Sequence, residues 1–283
     1  MAVSFAFAQE KNVKEAKSIA GEVKPDFAKA EQLINEALTN PETKDNAATW
    51  DVAGYIQKRI NEKEMENAYL RKPYDTLKVY NSVLNMYNYY VKCDELAQIP
   101  NEKGKIKNKY RSANSKTILA ERPNLINGGI QYFNLNKNED ALKYFAAYVD
   151  AATLPMMEKE NLLEKDTILP QVAYYATLAA DRVGDKDAVM KYAQYALKDK
   201  ENGQFAMQLL TDAYKAKGDT AKWVENYRKV LLSSLKINIS SQIWLTTIAA
   251  PTKMIKQCSL LDDMLAKDPN NKFISVCEGI SVS

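Results

Sequence analysis

The residue types on which most enzymes depend are scarce or scattered in this sequence. It contains no histidine, which removes the usual general base, the commonest metal ligand and the usual partner of a catalytic serine or cysteine. Its cysteines, Cys93, Cys258 and Cys277, are too few and too scattered for a disulfide framework or a zinc site. We therefore expect neither a metal nor a cofactor.

Carboxylate pairs are the remaining candidates for acid–base chemistry. Glu158/Glu160 and Asp262/Asp263 are such pairs, but no second catalytic signal accompanies either, and solvated helix faces explain both. The chain also lacks a glycine-rich nucleotide loop, a Gly-x-Ser-x-Gly elbow and a Cys-x-x-Cys motif. The sequence therefore predicts a protein that is not an enzyme.

The net charge of +3 does not indicate a nucleic-acid partner. The segment 226–261 holds five basic residues and no acidic one, so the rest of the chain carries −2 (3 − 5). A second basic segment, 103–111, can be a patch for phosphate or an acidic partner, or simply a solvated loop in a chain of balanced charge. No apolar run approaches 18 residues, so no membrane span is expected.

Aromatic residues concentrate in "VYNSVLNMYNYYVK" (79–92). An apolar face at helical spacing runs along this segment, and Tyr89 and Tyr90 lie off it. Two interpretations stay open: inter-helix core, or an aromatic platform for a glycan or a proline-rich peptide. The predicted face consists of Leu77, Tyr80, Leu84, Tyr87 and Val91.

Helices must position these side chains, because the residue composition is helix-favouring and glycine and proline number only nine each. Two Gly-Asp turns, at Gly184 and Gly218, stand 34 residues apart, each between two amphipathic helical patterns. A third unit places Gly129, Tyr132, Ala141 and Phe145 at relative positions 0, +3, +12 and +16. Small residues at such positions let two helices approach closely, and the aromatic rings fill the space between them.

This pattern resembles the tetratricopeptide repeat (TPR) family. The resemblance covers most of 10–231 and resumes at 261–273, and it implies an all-α, right-handed superhelix of antiparallel helix pairs. In the N-terminal part, Ala30, Ile34, Ala37 and Leu38 share one face of a second helix, and Trp50 and Gly54 have the spacing of the next first helix. Insertions into the repeat pattern are expected at about 58–72, 98–113 and 153–166.

Both ends of the chain depart from the repeats. Residues 1–8 read as the remnant of a secretory signal, with Ala6-Phe7-Ala8 as the cleavage site, although a frayed apolar N-terminus is the alternative. Residues 232–283 lack the repeat that spacing demands. Because the codons of 241–260 can spell a TPR unit in another frame, we expect a frameshifted or degraded C-terminal part; an irregular but genuine segment is the alternative. The consecutive residues Met254 and Ile255, for example, must give Asp in that frame.

Similarity to exported TPR proteins of Bacteroidales-type Gram-negative bacteria implies a periplasmic location. TPR proteins bind partners on the surface of their first helices, so the resemblance implies a protein-interaction scaffold whose partner is a protein or peptide. A glycan- or polymer-binding accessory protein of a nutrient-uptake system is the alternative. The family's carboxylate clamp of lysine and asparagine is absent at the matching positions. By family register, the partner-binding residues are Gln171, Tyr174, Asp181, Gln208, Asp212 and Lys215.

Overall fold

The structure is a computed structural model that describes residues 2–100, 103–106 and 108–241, with side chains described for 10–100, 103–106 and 108–230. Within these ranges the chain forms helices and turns and no strand, which confirms the all-α prediction. The helices are α1 (Ala2–Gly21), α2 (Phe27–Thr39), α3 (Ala47–Tyr69), α4 (Thr76–Ala97), α5 (Arg111–Asn134), α6 (Asn138–Asp150), α7 (Leu162–Lys165), α8 (Leu169–Val183), α9 (Lys186–Ala196), α10 (Gly203–Ala216) and α11 (Thr220–Ser241).

Capping residues set several of these boundaries. The carboxylates of Asp26, Asp75 and Asp185 each accept a hydrogen bond from the amide three residues later, which satisfies a free N–H of the first turn. Gly184 ends α8 in the left-handed conformation (φ 80°), and Gly218 follows α10 in the same conformation (φ 75°). The two predicted Gly-Asp turns are therefore confirmed as the links α8–α9 and α10–α11.

Each helix packs mainly on helices one or two places away along the chain. α3 and α4 form a long hairpin, α6 lies against both α5 and α8, and α9 lies against both α8 and α10. One core cluster joins α1, α2 and α3, where Ala30, Ile34 and Ala37 are buried as the sequence predicts. A larger cluster joins α4, α5, α6, α8 and α9. Packing between such neighbours buries the apolar face that a single amphipathic helix cannot bury alone.

Glycines allow the closest helix contacts. A Cβ atom at Gly54 would lie 2.3 Å from the ring of Tyr90, and one at Gly129 would lie 2.4 Å from the ring of Phe145. No side chain larger than hydrogen fits at either position without moving the ring. The expectation that Gly129 and Phe145 mark a close contact between two helices is confirmed, here between α5 and α6.

α4 buries a different face from the predicted one. Of the predicted face, Tyr87 is buried, whereas Leu77, Tyr80, Leu84 and Val91 are only partly buried. The fully buried apolar residues lie one or two positions away because α4 packs against α3 on one side and α5 on another. These buried residues are Val79, Val83, Met86, Tyr87, Tyr90 and Cys93.

The three expected insertions take different forms. Residues 58–69 simply continue α3, so the first insertion lengthens a helix and adds only a short loop before α4. Of the second, the described residues lead without a regular element into α5. The third contains two 3₁₀ segments, Ala151–Thr153 and Pro155–Glu160, and α7. It buries Met156, Met157 and Leu162 and is therefore part of the core.

A buried ion pair fastens this third insertion. The Nη1 atom of Arg122 in α5 donates to Asp166, and both side chains are less than one-tenth exposed. The Arg122 Nε and Nη2 atoms donate to the carbonyl oxygen of Tyr148 at 3.1 and 3.0 Å. The hydroxyl of Tyr148 donates to the same Asp166 oxygen at 2.8 Å. The second Asp166 oxygen accepts from the amides of Ile168 and Leu169, so one carboxylate links α5, α6 and the start of α8.

The C-terminal expectations fall almost entirely outside this part of the chain. The helix α11 continues to Ser241. The frameshift hypothesis for 232–283, with Cys258, Cys277 and the pair Asp262/Asp263, concerns residues beyond 241 that lie outside the described residues. In the portion that is described, no helix is both long enough and apolar enough to cross a bilayer.

Candidate functional site

Four aromatic side chains form a continuous surface strip across α5, α8 and α10. The ring of Phe133 meets Tyr175 at a centroid distance of 6.2 Å, Tyr175 meets Tyr174 at 5.4 Å, and Tyr174 meets Phe205 at 6.2 Å. Phe205 is 44% exposed, and the other three rings are half-buried. We call these four residues the aromatic strip. An exposed aromatic series of this kind is typical of binding surfaces.

The core beneath the aromatic strip holds it in place. The ring of Tyr175 stacks on buried Phe145 of α6 at 5.7 Å, and the ring of Phe133 meets Phe145 edge-on at 6.3 Å. Phe145 can lie there because Gly129 leaves room for it. Ile130, one helical turn before Phe133, is 43% exposed and extends the apolar surface along α5. Two helix pairs therefore fix the geometry of the strip.

The strip carries one cation. The guanidinium carbon of Arg182 lies 4.2 Å from the ring centroid of Phe133, and its Nη1 atom donates to the amide oxygen of Asn138 at 3.4 Å. Burial and the neighbouring Tyr175 raise the pKa of Tyr174 above its ordinary value, while Arg182 opposes this rise. The Tyr174 hydroxyl therefore stays protonated at neutral pH and can donate a hydrogen bond.

The predicted partner-binding residues occupy exposed or half-exposed positions on α8 and α10. Tyr174 belongs to the aromatic strip, and Gln171, Gln208 and Asp212 are exposed. Asp181 is half-buried and accepts a hydrogen bond from Lys186 Nζ at 2.7 Å, which leaves its charge paired. The exposed Lys215 lies over Trp223 of α11, with its Nζ atom 5.6 Å from the ring centroid.

Sequence reasoning missed Phe133, Tyr175, Phe205 and Arg182. A signal for one of them was present, because Phe205 stands 34 residues after Gln171 and therefore shares its register in the repeat. Phe133 and Tyr175 resemble ordinary core residues in an amphipathic pattern. Only the contacts between α5, α8 and α10 show that their rings continue the exposed surface of Tyr174 and Phe205.

The tyrosine-rich segment of α4 is mainly core. Tyr87 and Tyr90 are buried, and burial raises the pKa of both. Tyr89 is half-buried and packs against Trp50 of α3 at a centroid distance of 5.9 Å. The core interpretation of this segment is therefore confirmed for Tyr87 and Tyr90, and an aromatic platform has no exposed pair of rings there.

A polar cluster between α3, α4 and α5 has a structural arrangement. Arg111 donates from Nε and Nη2 to the two carboxylate oxygens of buried Asp94, at 2.8 and 2.7 Å. Burial, with smaller contributions from Asp51 and Asp94, raises the pKa of Cys93 to about 12. The thiol is therefore protonated and weakly nucleophilic at neutral pH. Arg111, part of the predicted basic segment, serves as an internal ion-pair partner.

The described side chains contain no group of three His, Cys, Asp or Glu residues close enough to hold a metal ion. Of the basic segment, Lys103, Lys105 and Lys109 are exposed, whereas Lys107 falls outside the described residues. No protein-family model matches the chain, and a search of curated proteins finds no significant match.

Proposed function

We propose that this chain is a non-enzymatic protein-interaction scaffold of the TPR class, exported to the periplasm of a Gram-negative bacterium. In this proposal the helix pairs form a right-handed superhelix. The equal spacing of the Gly-Asp turns at Gly184 and Gly218 and the packing of each helix on its chain neighbours support that arrangement. The Ala6-Phe7-Ala8 sequence supports export.

The observation that carries the proposal is the aromatic strip. It joins side chains from three helices, it is partly exposed, and exposed polar groups such as Gln171 and Gln208 lie on the same helices. Partly exposed aromatic rings on a rigid scaffold provide much contact area at a small cost in side-chain entropy. A segment of a protein partner is the ligand that best fits a surface of this length and polarity.

A selection of random 12-residue peptides against the purified chain tests this function. We expect enriched peptides whose binding is weakened at least about 10-fold by Phe205→Ala, since truncation of a central aromatic contact costs more than 1 kcal/mol. Tyr69→Ala is the matched control, because Tyr69 is 87% exposed on α3, far along the chain from the strip. A selection that enriches no peptide, or peptides indifferent to Phe205→Ala, would overturn the proposal.

One observation favours a second candidate, a glycan-binding accessory protein. Tyr174 and Phe205 are both partly exposed, and aromatic rings can stack on sugars. Of the four tyrosines that would serve such a platform, however, Tyr90 and Tyr132 are buried in the core. A glycan array probed with the native chain and with Phe205→Ala decides between the two candidates.

A further inference from the structure

The rings of the aromatic strip meet edge to face, which decides what shape of ligand fits them. The Phe133–Tyr175 and Tyr174–Phe205 interplanar angles are 77° and 71°, and the Tyr174–Tyr175 angle is 58°. Rings inclined in this way leave crevices between them and offer no continuous flat face. Such crevices accept compact apolar groups, for example the pyrrolidine ring of proline, better than a sugar ring that must lie flat on an aromatic face.

The hydroxyl groups of the strip are available to a ligand. Neither Tyr174 nor Tyr175 makes a hydrogen bond through its hydroxyl to any of the described residues, whereas the hydroxyls of Tyr132 and Tyr144 both donate to Asn81. Tyrosine hydroxyls beside apolar crevices can donate to the carbonyl groups of a bound backbone. A polyproline II segment offers free carbonyl oxygens, because this conformation has no internal hydrogen bonds.

The charge on the strip is also unbalanced. No described carboxylate lies within 4.0 Å of the Arg182 guanidinium, whereas neighbouring Asp181 is paired with Lys186. Arg182 is exposed and stands over Phe133, at one end of the aromatic series. A ligand that reaches this end with an acidic group would gain a partner for the cation. Charge complementarity therefore indicates an acidic residue at one end of the bound segment.

We propose that the aromatic strip binds a proline-rich segment in the polyproline II conformation that carries an acidic residue beside Arg182. This inference rests on the proposed function and names the class of its partner. Prolines occupy the crevices between the four rings, the Tyr174 and Tyr175 hydroxyls donate to peptide carbonyls, and the acidic side chain pairs with Arg182. Six residues in this conformation extend about 19 Å, which is enough to follow the three ring contacts.

Fluorescence polarisation with defined peptides tests the inference. The probe is a fluorescein-labelled peptide of six prolines with two glutamates at one end, made in both orders. Controls replace the glutamates by lysines, or the prolines by alternating glycine and serine. We expect the better of the two glutamate orders to bind at least about 10-fold more tightly than its glycine–serine counterpart, because the flexible chain pays an ordering cost and lacks the apolar rings.

Variants of the chain separate the three contributions. Phe205→Ala is expected to weaken the proline probe about 10-fold, and Phe205→Tyr, which keeps a ring, to retain most of the binding. Tyr174→Phe removes only a hydroxyl and should weaken binding about 3-fold. Arg182→Gln should weaken the glutamate probe about 3-fold while leaving the lysine probe unchanged. Circular dichroism of each variant verifies that the fold is intact.

The outcomes distinguish this inference from the function on which it rests. Tight binding of the glutamate–proline probe with the expected variant effects supports both. Random peptides that bind at Phe205 without enrichment of proline, or an equal affinity for glutamate and lysine probes, would overturn the inference and leave the scaffold function standing. Failure of every peptide, random or defined, would overturn both.

Discussion

Tyrosines in two regions of this molecule make opposite use of the same hydroxyl group. In the core between α5, α6 and α9, Tyr148 donates to Asp166 and Tyr192 donates to Asp150. On the surface of α8, Tyr174 and Tyr175 have half-buried rings and hydroxyls without a described partner. A core hydroxyl must be satisfied internally because burial removes water. The difference teaches that an unused donor on an ordered aromatic surface is a better guide to binding than aromatic content alone.

High pH should break the core region. Burial raises the pKa of Tyr144, Tyr148 and Tyr192, as it does that of Tyr87 and Tyr90 in α4, above the ordinary value of 10.0. The unfolded chain therefore loses these protons first. The stability contribution of each neutral tyrosine is complete below about pH 10 and is lost as pH rises through the folded-state pKa. We expect cooperative loss of helical circular dichroism above about pH 10, together with phenolate absorbance.

Phenolate absorbance that develops in full while the helical signal is unchanged would contradict this prediction. A titration between about pH 8 and pH 10 is the internal control, since no buried tyrosine should then ionise and stability should vary little for this reason.

The next largest effect is expected from Arg122→Met. This change leaves the buried Asp166 carboxylate without its cation, and loss of one member of a buried ion pair costs about 3–5 kcal/mol. Urea unfolding followed by circular dichroism measures the free energy of unfolding. Arg182→Met is the matched control on the aromatic strip, where the exposed cation has no described carboxylate partner and its loss should cost less than about 1 kcal/mol.

Adding Asp166→Asn to Arg122→Met should recover part of the stability, because the buried charge is then gone. Equal costs for Arg122→Met and Arg182→Met would show that the ion pair does not distinguish the two regions.

The same substitution in both regions gives a smaller and more direct comparison. Tyr148→Phe removes a hydroxyl that donates to Asp166 and should cost about 1–2 kcal/mol of unfolding free energy. Tyr174→Phe removes a hydroxyl without a described partner and should change it by less than about 0.5 kcal/mol. Urea unfolding of the two variants under identical conditions provides the measurement. A larger loss for Tyr174→Phe would mean that its hydroxyl has an internal role after all.

The smallest effect on stability is expected from Phe205→Ala. This ring is 44% exposed, so its removal creates no closed cavity, and the free energy of unfolding should fall by no more than about 1 kcal/mol. Thermal unfolding compared with the native chain verifies this, with Tyr69→Ala as the exposed-aromatic control. A loss of several kcal/mol would place Phe205 in the core and remove the reason to regard the strip as a binding surface.

Local patterns in the sequence predicted much of the fold. The two Gly-Asp turns, the buried face of α2 and the close contact of Gly129 with Phe145 all follow from spacing within about 20 residues. The Arg122–Asp166 pair does not, because 44 residues and an irregular insertion separate its members. Periodicity also misplaced the buried face of α4, since a helix with two neighbours buries more than one face.

The candidate site was less predictable than the fold. Repeat register placed Tyr174 correctly on a partly exposed surface, but register alone favours polar residues and passed over Phe205. Nothing in the sequence tells a half-buried ring such as Tyr175 from a buried one such as Tyr192. That difference depends on how α8 lies against α6 and α10, which is a matter of tertiary packing.

The position of Asp166 also has a consequence for synthesis of the chain. Arg122 is completed by Tyr148 and Asp166, both of which follow it in the sequence. During translation from the N-terminus, α5 and α6 therefore emerge with a guanidinium that still lacks its anion, and burial of that charge is unfavourable until residue 166 has emerged. We expect ribosome-bound chains stalled just before this point to be digested by protease between α5 and α6. Chains stalled after α8 should resist digestion there.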